Sequence, residues 1–282
     1  DCYSEWGAVP AGVPQGTKLG PWLFAIMINN VNVTDVNLWK YVDDTTISEH
    51  VDKHEISRVQ SHVDELIEKA KDDKFQLNEA KCKELCISFA RSERSFSPIL
   101  INDKPIEVVS NAKILGVSIS KDLKWNIHTL DVVKKASSRL YFLRQLKRAK
   151  INEKDLLTFY LTCVRPVAEY ACPVFHNSLP LYLSEDLEKL QKRALRIIYP
   201  TLPYREALFE AKIDTLFDRR EFMTKKLFED VVENTEHTLH ELLPNKNNSM
   251  LCLRKKNYFN VPICKTNRFF NSFIIHNSST YR

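Results

Sequence analysis

Ile56, Val59, Val63, Leu66, Ile67 and Ala70 recur at three- and four-residue spacing, while Asp64, Glu65, Glu68 and Lys69 fall on the opposite face. This is the period of an amphipathic helix, expected to pack one stripe on a sheet. Upstream, residues 1–10 read as the end of a strand, 22–30 as a buried apolar helix, and 38–42 and 45–48 as two strands joined by a tight turn. Downstream, short strands are expected at 85–89, 98–101, 106–109 and 114–119, with Asn102-Asp103-Lys104 as a turn signal.

From about Trp125 the pattern changes from strand to helix. Leu130, Val133, Ala136, Leu140, Leu143 and Leu146 make one stripe, and Lys134, Lys135, Arg139, Arg144, Lys147 and Arg148 lie largely off it. Residues 156–164 are apolar nearly all round, as in a buried helix. Ser184 is positioned as an N-cap, with Glu185 and Asp186 in the first turn. The helix it opens turns Leu187, Leu190, Ala194, Ile197 and Ile198 inward, carries Lys189, Lys192, Arg193 and Arg196 elsewhere, and stops at Pro200. Residues 204–236 predict one or two more helices, and 245–282 reads as an Asn-rich, basic loop. In that loop Phe269, Phe270 and Phe273 beside Arg268 suit either a core or stacking on single-stranded bases.

Composition is ordinary for a folded domain, with 44% hydrophobic and 27% charged residues, which disfavours disordered and fibrous classes. No apolar stretch is long enough for a membrane span, so no membrane partner is expected. The chain opens on Asp1 rather than Met, as expected of a fragment. Seven cysteines without a C-x-x-C point to reduced thiols in an intracellular protein rather than a zinc ribbon or a disulfide framework. Arg254-Lys255-Lys256 is too short to decide between nucleus and cytoplasm. The net charge of +5 is unevenly spread: residues 128–200 hold 13 basic against 7 acidic side chains, and 245–282 hold 7 basic and no acidic ones. Either segment alone could be a solvated face, whereas a nucleic acid is the simplest common partner for both.

The chemistry concentrates in two places. Tyr41-Val42-Asp43-Asp44 puts two adjacent carboxylates at a hairpin tip, and such a pair serves either as a turn or, with a cation to offset its repulsion, as a metal site. Upstream, Gly12-Val13-Pro14-Gln15-Gly16-Thr17-Lys18-Leu19-Gly20-Pro21 holds three of the chain's five glycines. That clustering marks either a turn before a core helix or a backbone that a ligand approaches closely. The segment fits neither the Walker nor the dinucleotide pattern.

Taken together, these segments resemble motifs B and C of the reverse transcriptases of non-LTR retrotransposons, of the jockey/CR1/RTE-like type. Leu77-Asn78-Glu79-Ala80-Lys81-Cys82-Lys83 looks like motif D, Lys113-Ile114-Leu115-Gly116-Val117 like motif E, and the tail from Val261 to Arg268 like the basic C-terminal segment of many such elements. The resemblance implies an α+β fold. Residues 1–124 would be the C-terminal part of a right-hand polymerase palm, an antiparallel sheet with packed helices, and 125–200 a helical thumb. Additional helices at 201–244 and a basic tail at 245–282 would follow. It implies an RNA template, a DNA primer and deoxynucleoside triphosphates as partners.

The same resemblance assigns roles residue by residue. Asp43 and Asp44 would hold two Mg²⁺ ions, with Asp43 the more direct ligand. Gln15, Gly16 and Tyr41 would position nucleotide and template, Lys81 would donate a proton to pyrophosphate, and Leu115 and Gly116 would form the primer grip. The basic residues of 134–148 and 189–196 would meet the nucleic-acid backbone. The family's third metal-binding aspartate belongs to a motif expected before motif B and not found here. The chain as given is therefore expected to be inactive or nearly so, with a non-catalytic nucleic-acid-binding remnant as the alternative.

Overall fold

The computed structural model describes residues 16–30, 32–90, 95–247 and 258–281. Gln15, the strand end expected at residues 1–10 and the run Arg254-Lys255-Lys256 lie outside the described residues. The chain divides into two compact units, Asp1–Ala112 and Lys113–Arg282. Helices and small sheets are mixed, and the single antiparallel sheet expected from the strand pattern is replaced, among the described residues, by four two-stranded ladders.

In the first unit, helix α1 (Gly20–Asn30) precedes a hairpin of β1 (Asn37–Tyr41) and β2 (Asp44–Ser48), then helix α2 (Val59–Asp72). Short strands follow: β3 (Lys83–Glu84), β4 (Leu100–Ile101), β5 (Lys104–Pro105) and β6 (Glu107–Val108). Strands β1 and β2, and β4 and β5, pair antiparallel, whereas β3 and β6 pair parallel. The strand predicted at 85–89 does not form: those residues are irregular, and the two-residue β3 lies just before them at Lys83–Glu84.

Helix α2 matches its periodicity, with Val63, Leu66, Ile67 and Ala70 buried. Val63 and Ile67 meet Ile99 and Ile101, with Ile47 and Ile106 at the margin, so the stripe does pack on strands. Ile56, expected on that stripe, lies before the helix and is exposed, because α2 starts only at Val59. The start is fixed from a distance: the Glu49 carboxylate accepts bonds from the Ser57 hydroxyl at 2.6 Å and the Arg58 amide at 2.9 Å. That replaces the side-chain cap which Arg58 itself cannot give.

Helix α1 departs from expectation. It forms where the apolar run predicts it, but Trp22 is 72% and Ile26 65% exposed, so it is not a buried helix. An all-round apolar sequence reports that a helix can be buried on every side, not that covering elements are at hand.

The second unit begins with a hairpin of β7 (Asn111–Ile114) and β8 (Val117–Ser120), which straddles the division at its first strand. The pattern read 114–119 as one strand. Instead Leu115 and Gly116 both take positive φ, +46° and +85°, and make a two-residue turn of the type that requires this at both central positions. Leucine is not a turn residue, so Gly116 alone marks an ordinary turn at this point in the sequence. Asn102 and Asp103, at φ +50° and +60°, form the same kind of loop between β4 and β5, as their turn chemistry predicts.

The helices of the second unit are α3 (Asn126–Arg148), α4 (Glu153–Phe159), α5 (Arg165–Glu169), α6 (Cys172–Phe175), α7 (Leu181–Ile198), α8 (Tyr204–Ala211), α9 (Leu216–Glu233), α10 (Asn267–Phe270) and α11 (Phe273–Thr280). One contiguous core joins Ala136, Leu140 and Leu143 of α3 to Leu156, Tyr160 and Val164, and to Leu187, Leu190, Ala194 and Ile198 of α7. Each such leucine, fully buried, contributes about 1.5–3 kcal/mol. Leu130 leaves the expected stripe and is exposed, and His128, Thr129 and Val132 take the inward positions at that end of α3.

Residues 156–164 are not buried all round. Leu156, Tyr160 and Val164 face inward, and a π-helical turn, Tyr160–Val164, links α4 to α5. Pro166 lacks an amide hydrogen and crowds the carbonyl four residues back, which favours that wider turn. Ser184 is not an N-cap either. Pro180 in extended backbone precedes α7, which starts at Leu181, and the buried Ser184 hydroxyl instead accepts a bond from Arg220 at 3.0 Å. The expected loop over 245–282 contains α10, whose N-cap Thr266 accepts from the Phe269 amide, and α11, whose Phe273 ring meets Phe228 at 6.0 Å.

Candidate functional site

The two carboxylates stand on the β1–β2 hairpin. Tyr41 pairs with Asp44, so the loop is the two residues Val42 and Asp43, and Asp44 belongs to β2 rather than to the turn. Val42 takes φ +57°, at the loop position that such hairpins commonly fill with glycine. For a β-branched residue this conformation costs about 1–3 kcal/mol. Tyr41, Asp43 and Asp44 are all exposed, while Leu38 and Lys40 turn toward the unit's interior. The Lys40 ammonium donates to the Ile28 carbonyl at 3.1 Å, which ties the hairpin to the C-terminal end of α1. Ile28 and Ile47 complete that joint in a small cluster with Val33 and Leu66.

Gly16 lies before the other end of α1. Its φ is +86° and a Cβ built there would meet nothing within 4 Å, so the requirement for glycine is conformational rather than spatial. Lys81 is exposed in a turn closed by its own amide on the Asn78 carbonyl at 3.0 Å. Beside it, Lys104 and Glu79 form an ion pair at 2.5 Å.

The donor set at Asp43 and Asp44 fits a hard cation such as Mg²⁺ in kind, since both offer carboxylate oxygens. It does not close in number: no group of three or more His, Cys, Asp or Glu residues that could hold a metal occurs among the described residues.

Leu115 and Gly116 form the tip of the β7–β8 hairpin, and its base is tied to α3. The Ser118 hydroxyl donates to Asp131 at 2.8 Å, and the Ser118 amide donates to His128 Nδ1 at 3.3 Å. Burial holds the His128 imidazole below its usual pKa despite the nearby Asp131 carboxylate, which keeps Nδ1 an acceptor. At the end of β8, the Ser120 hydroxyl and the Lys124 amide both donate to Asp122, and these bonds lower its carboxyl to about 2.

The basic residues separate into two groups that their sequence spacing did not distinguish. Arg139 donates to the Cys163 carbonyl in the π turn, and Lys147 to the Ile198 carbonyl at the end of α7 at 2.9 Å, so both are half-buried ties within the fold. Lys134, Lys135, Arg144 and Arg148 on α3, and Lys189, Lys192, Arg193 and Arg196 on α7, are exposed. Arg193 donates to the Ser137 hydroxyl at 3.3 Å, which brings the two helices' outer faces together. On α3, Ser137, Tyr141, Arg144 and Arg148 share a face by helical spacing, as do Lys189, Arg193 and Arg196 on α7. The result is a continuous basic band with the exposed Tyr141 within it. Beside it an open groove of about 400 Å³ is lined by Lys189, Lys192, Arg193, Arg196, Leu202 and Tyr204. Tyr204, from α8, escaped the sequence reading because nothing in its neighbourhood marks its distant partners. Lys192 stands over its ring at 5.4 Å.

Residues 5–119 match the family model described as reverse transcriptase (RNA-dependent DNA polymerase). Residues 125–165, which hold α3, α4 and the π turn, match a model described as the N-terminal part of alkylated DNA repair protein alkB homolog 8. The probable RNA-directed DNA polymerase from transposon X-element of Drosophila melanogaster is 24% identical over 201 residues, 67% of this chain and 22% of that protein. The RNA-directed DNA polymerase from mobile element jockey is 23% identical over 237 residues in Drosophila melanogaster, 78% of this chain and 26% of that protein. Its counterpart in Drosophila funebris is 26% identical over 249 residues, 81% of this chain and 26% of that protein. The chain thus spans about a quarter of the length of the curated relatives it matches. No solved structure matches it significantly. On these matches the chain is similar to the reverse transcriptases of jockey-like non-LTR retrotransposons.

Proposed function

We propose that this chain is the C-terminal part of the palm, residues 1–124, followed by a thumb-like helical region, residues 125–200, of an RNA-directed DNA polymerase. Further helices at 201–244 and a basic tail at 245–282 complete it. The reaction of the whole enzyme would be attack of a primer 3′-hydroxyl on the α-phosphate of a deoxynucleoside triphosphate opposite an RNA template. The new P–O bond forms as the bond to pyrophosphate breaks. The observation that carries the reading is Asp43 at a strained two-residue tip with Asp44 beside it, preceded by a positive-φ glycine ahead of an apolar helix. Asp43 and Asp44 would hold Mg²⁺, whose chemistry is to activate the attacking oxygen and neutralise charge on the leaving group. Tyr41, Gly16 and Gln15 would position nucleotide and template, with Lys81 as proton donor and Leu115 and Gly116 as the primer grip.

Two carboxylates leave the metal short of a ligand among the described residues, so the 282-residue chain is expected to synthesise little or no DNA. Primer extension on an RNA template with Mg²⁺, run on this chain, on Asp43→Ala and on a version extended upstream, tests this. Silence from this chain with synthesis by the extended one is the expected result. Synthesis by the 282-residue chain that Asp43→Ala abolishes would sink the claim of inactivity.

A second reading, a non-catalytic nucleic-acid-binding remnant, is favoured by the basic band. It stands on the larger core and does not depend on the aspartates. Salt-dependent RNA or DNA binding that survives Asp43→Ala, with no synthesis by the extended chain, would select it.

A further inference from the structure

We infer that Tyr170 is a positioning residue for the β7–β8 hairpin tip, holding the Leu115–Gly116 turn in the conformation that meets the primer's 3′ end. The inference rests on the primer-grip reading of that turn. The Tyr170 hydroxyl donates to the Leu115 carbonyl at 2.6 Å, across 55 residues of sequence. The same ring lies against the neighbouring residue: a Cβ added to Gly116 would come within 3.2 Å of Tyr170 Cε1. One side chain thus binds the carbonyl of the first loop residue and sets the clearance over the second. Both loop residues are in the left-handed region, where Leu115 at φ +46° is strained. A strained loop keeps one conformation only when its surroundings hold it there. The base of the hairpin has its own ties through Ser118 to His128 and Asp131, and Tyr170 is the described hydrogen-bond partner at the tip.

Tyr170 is itself held from both sides. Its amide donates to the Pro166 carbonyl at 3.0 Å, ending α5. The preceding Glu169 carboxylate pairs with Arg165 at 3.1 Å and with Arg219 of α9 at 3.3 Å. The following Ala171 takes φ +53°, turning the chain into α6. The ring is therefore carried by a fixed corner of the helical core rather than by a loose loop. No feature of the sequence points to it, because nothing local distinguishes a tyrosine that reaches back to a distant turn.

The test uses the full 282-residue chain and Tyr170→Phe, which keeps the ring and removes the donor. Far-UV ellipticity checks that the variant is folded. Amide hydrogen exchange of the peptide covering 111–120 is measured with the affinity for two RNA–DNA duplexes, one with a recessed primer 3′ end and one blunt. Expected is exchange about 3- to 10-fold faster in the loop, the range that one neutral hydrogen bond spans. The parent chain should also prefer the recessed duplex, and the variant should lose that preference while binding the blunt duplex as before. Unchanged exchange, or an unchanged preference in a folded variant, overturns the inference. A parent chain that binds neither duplex overturns the nucleic-acid reading itself, and this inference falls with it. That outcome is visible before any substitution is made.

Discussion

Replacing Arg193 and Arg196 together by alanine should weaken nucleic-acid binding in a way that salt reveals, while replacing Arg139 or Lys147 should weaken the fold instead. Arg193 and Arg196 are exposed, and the one described side-chain bond of the pair, Arg193 to Ser137, is long at 3.3 Å. Their loss should cost about 0.5 kcal/mol of stability or less. If each neutralises one phosphate of a duplex, the slope of log affinity against log salt should become shallower by about 2. Arg139 and Lys147 donate charged hydrogen bonds to backbone carbonyls of the π turn and the α7 terminus. Removing either should cost about 1.5–3 kcal/mol and leave the slope nearly unchanged. Fluorescence anisotropy with a labelled RNA–DNA duplex over a salt series gives the slope, and urea unfolding followed by helical ellipticity gives the stability. The division of the basic residues would be refuted by an unchanged slope in the double variant. It would be refuted equally if Arg139→Ala flattened the slope without lowering the urea midpoint.

Val42→Gly should raise the stability of the first unit by up to about 2 kcal/mol, because relief of the left-handed strain exceeds glycine's entropic cost. A urea midpoint that falls would show that Val42 contributes packing the hairpin cannot spare. Stability of the second unit should decline as pH falls from about 7 to about 5. Burial lowers the folded pKa of His128, His176 and His276 below the ordinary value of 6.5, so below that pH the unfolded chain takes up protons that the folded one resists. A melting temperature that rises over this interval would contradict the burial of these rings.

The repeating stripes of α2, α3 and α7 were legible because long helices average over many positions, and their cores sit where the period places them apart from Ile56 and Leu130 at the N-terminal ends of two stripes. The hairpin carrying Asp43 was legible for a different reason: two strand-like runs flank an Asp-Asp turn signal, although Asp44 proves to belong to β2. Leu115 was not, because a leucine in the left-handed region has no compositional signature and a tertiary contact from Tyr170 accompanies it. Ser184 misled for a similar reason, since Pro180 already marked the helix start and the hydroxyl was used by Arg220, 36 residues away. Among the candidate site residues, periodicity placed Arg139 and Lys147 with the exposed cations because it reports the face of a helix. It does not report the carbonyls that a long side chain can reach around to.

The two units differ in how much loss they can absorb. The first rests on two small clusters and leaves much of α1 in water, whereas the second has one large continuous core. Random substitution in a lineage without selection would therefore erode the part that carries the aspartates first. The basic band, built on a deeper reserve, would persist longest, so on the function proposed above a decaying copy would lose the proposed metal site well before the proposed nucleic-acid contacts.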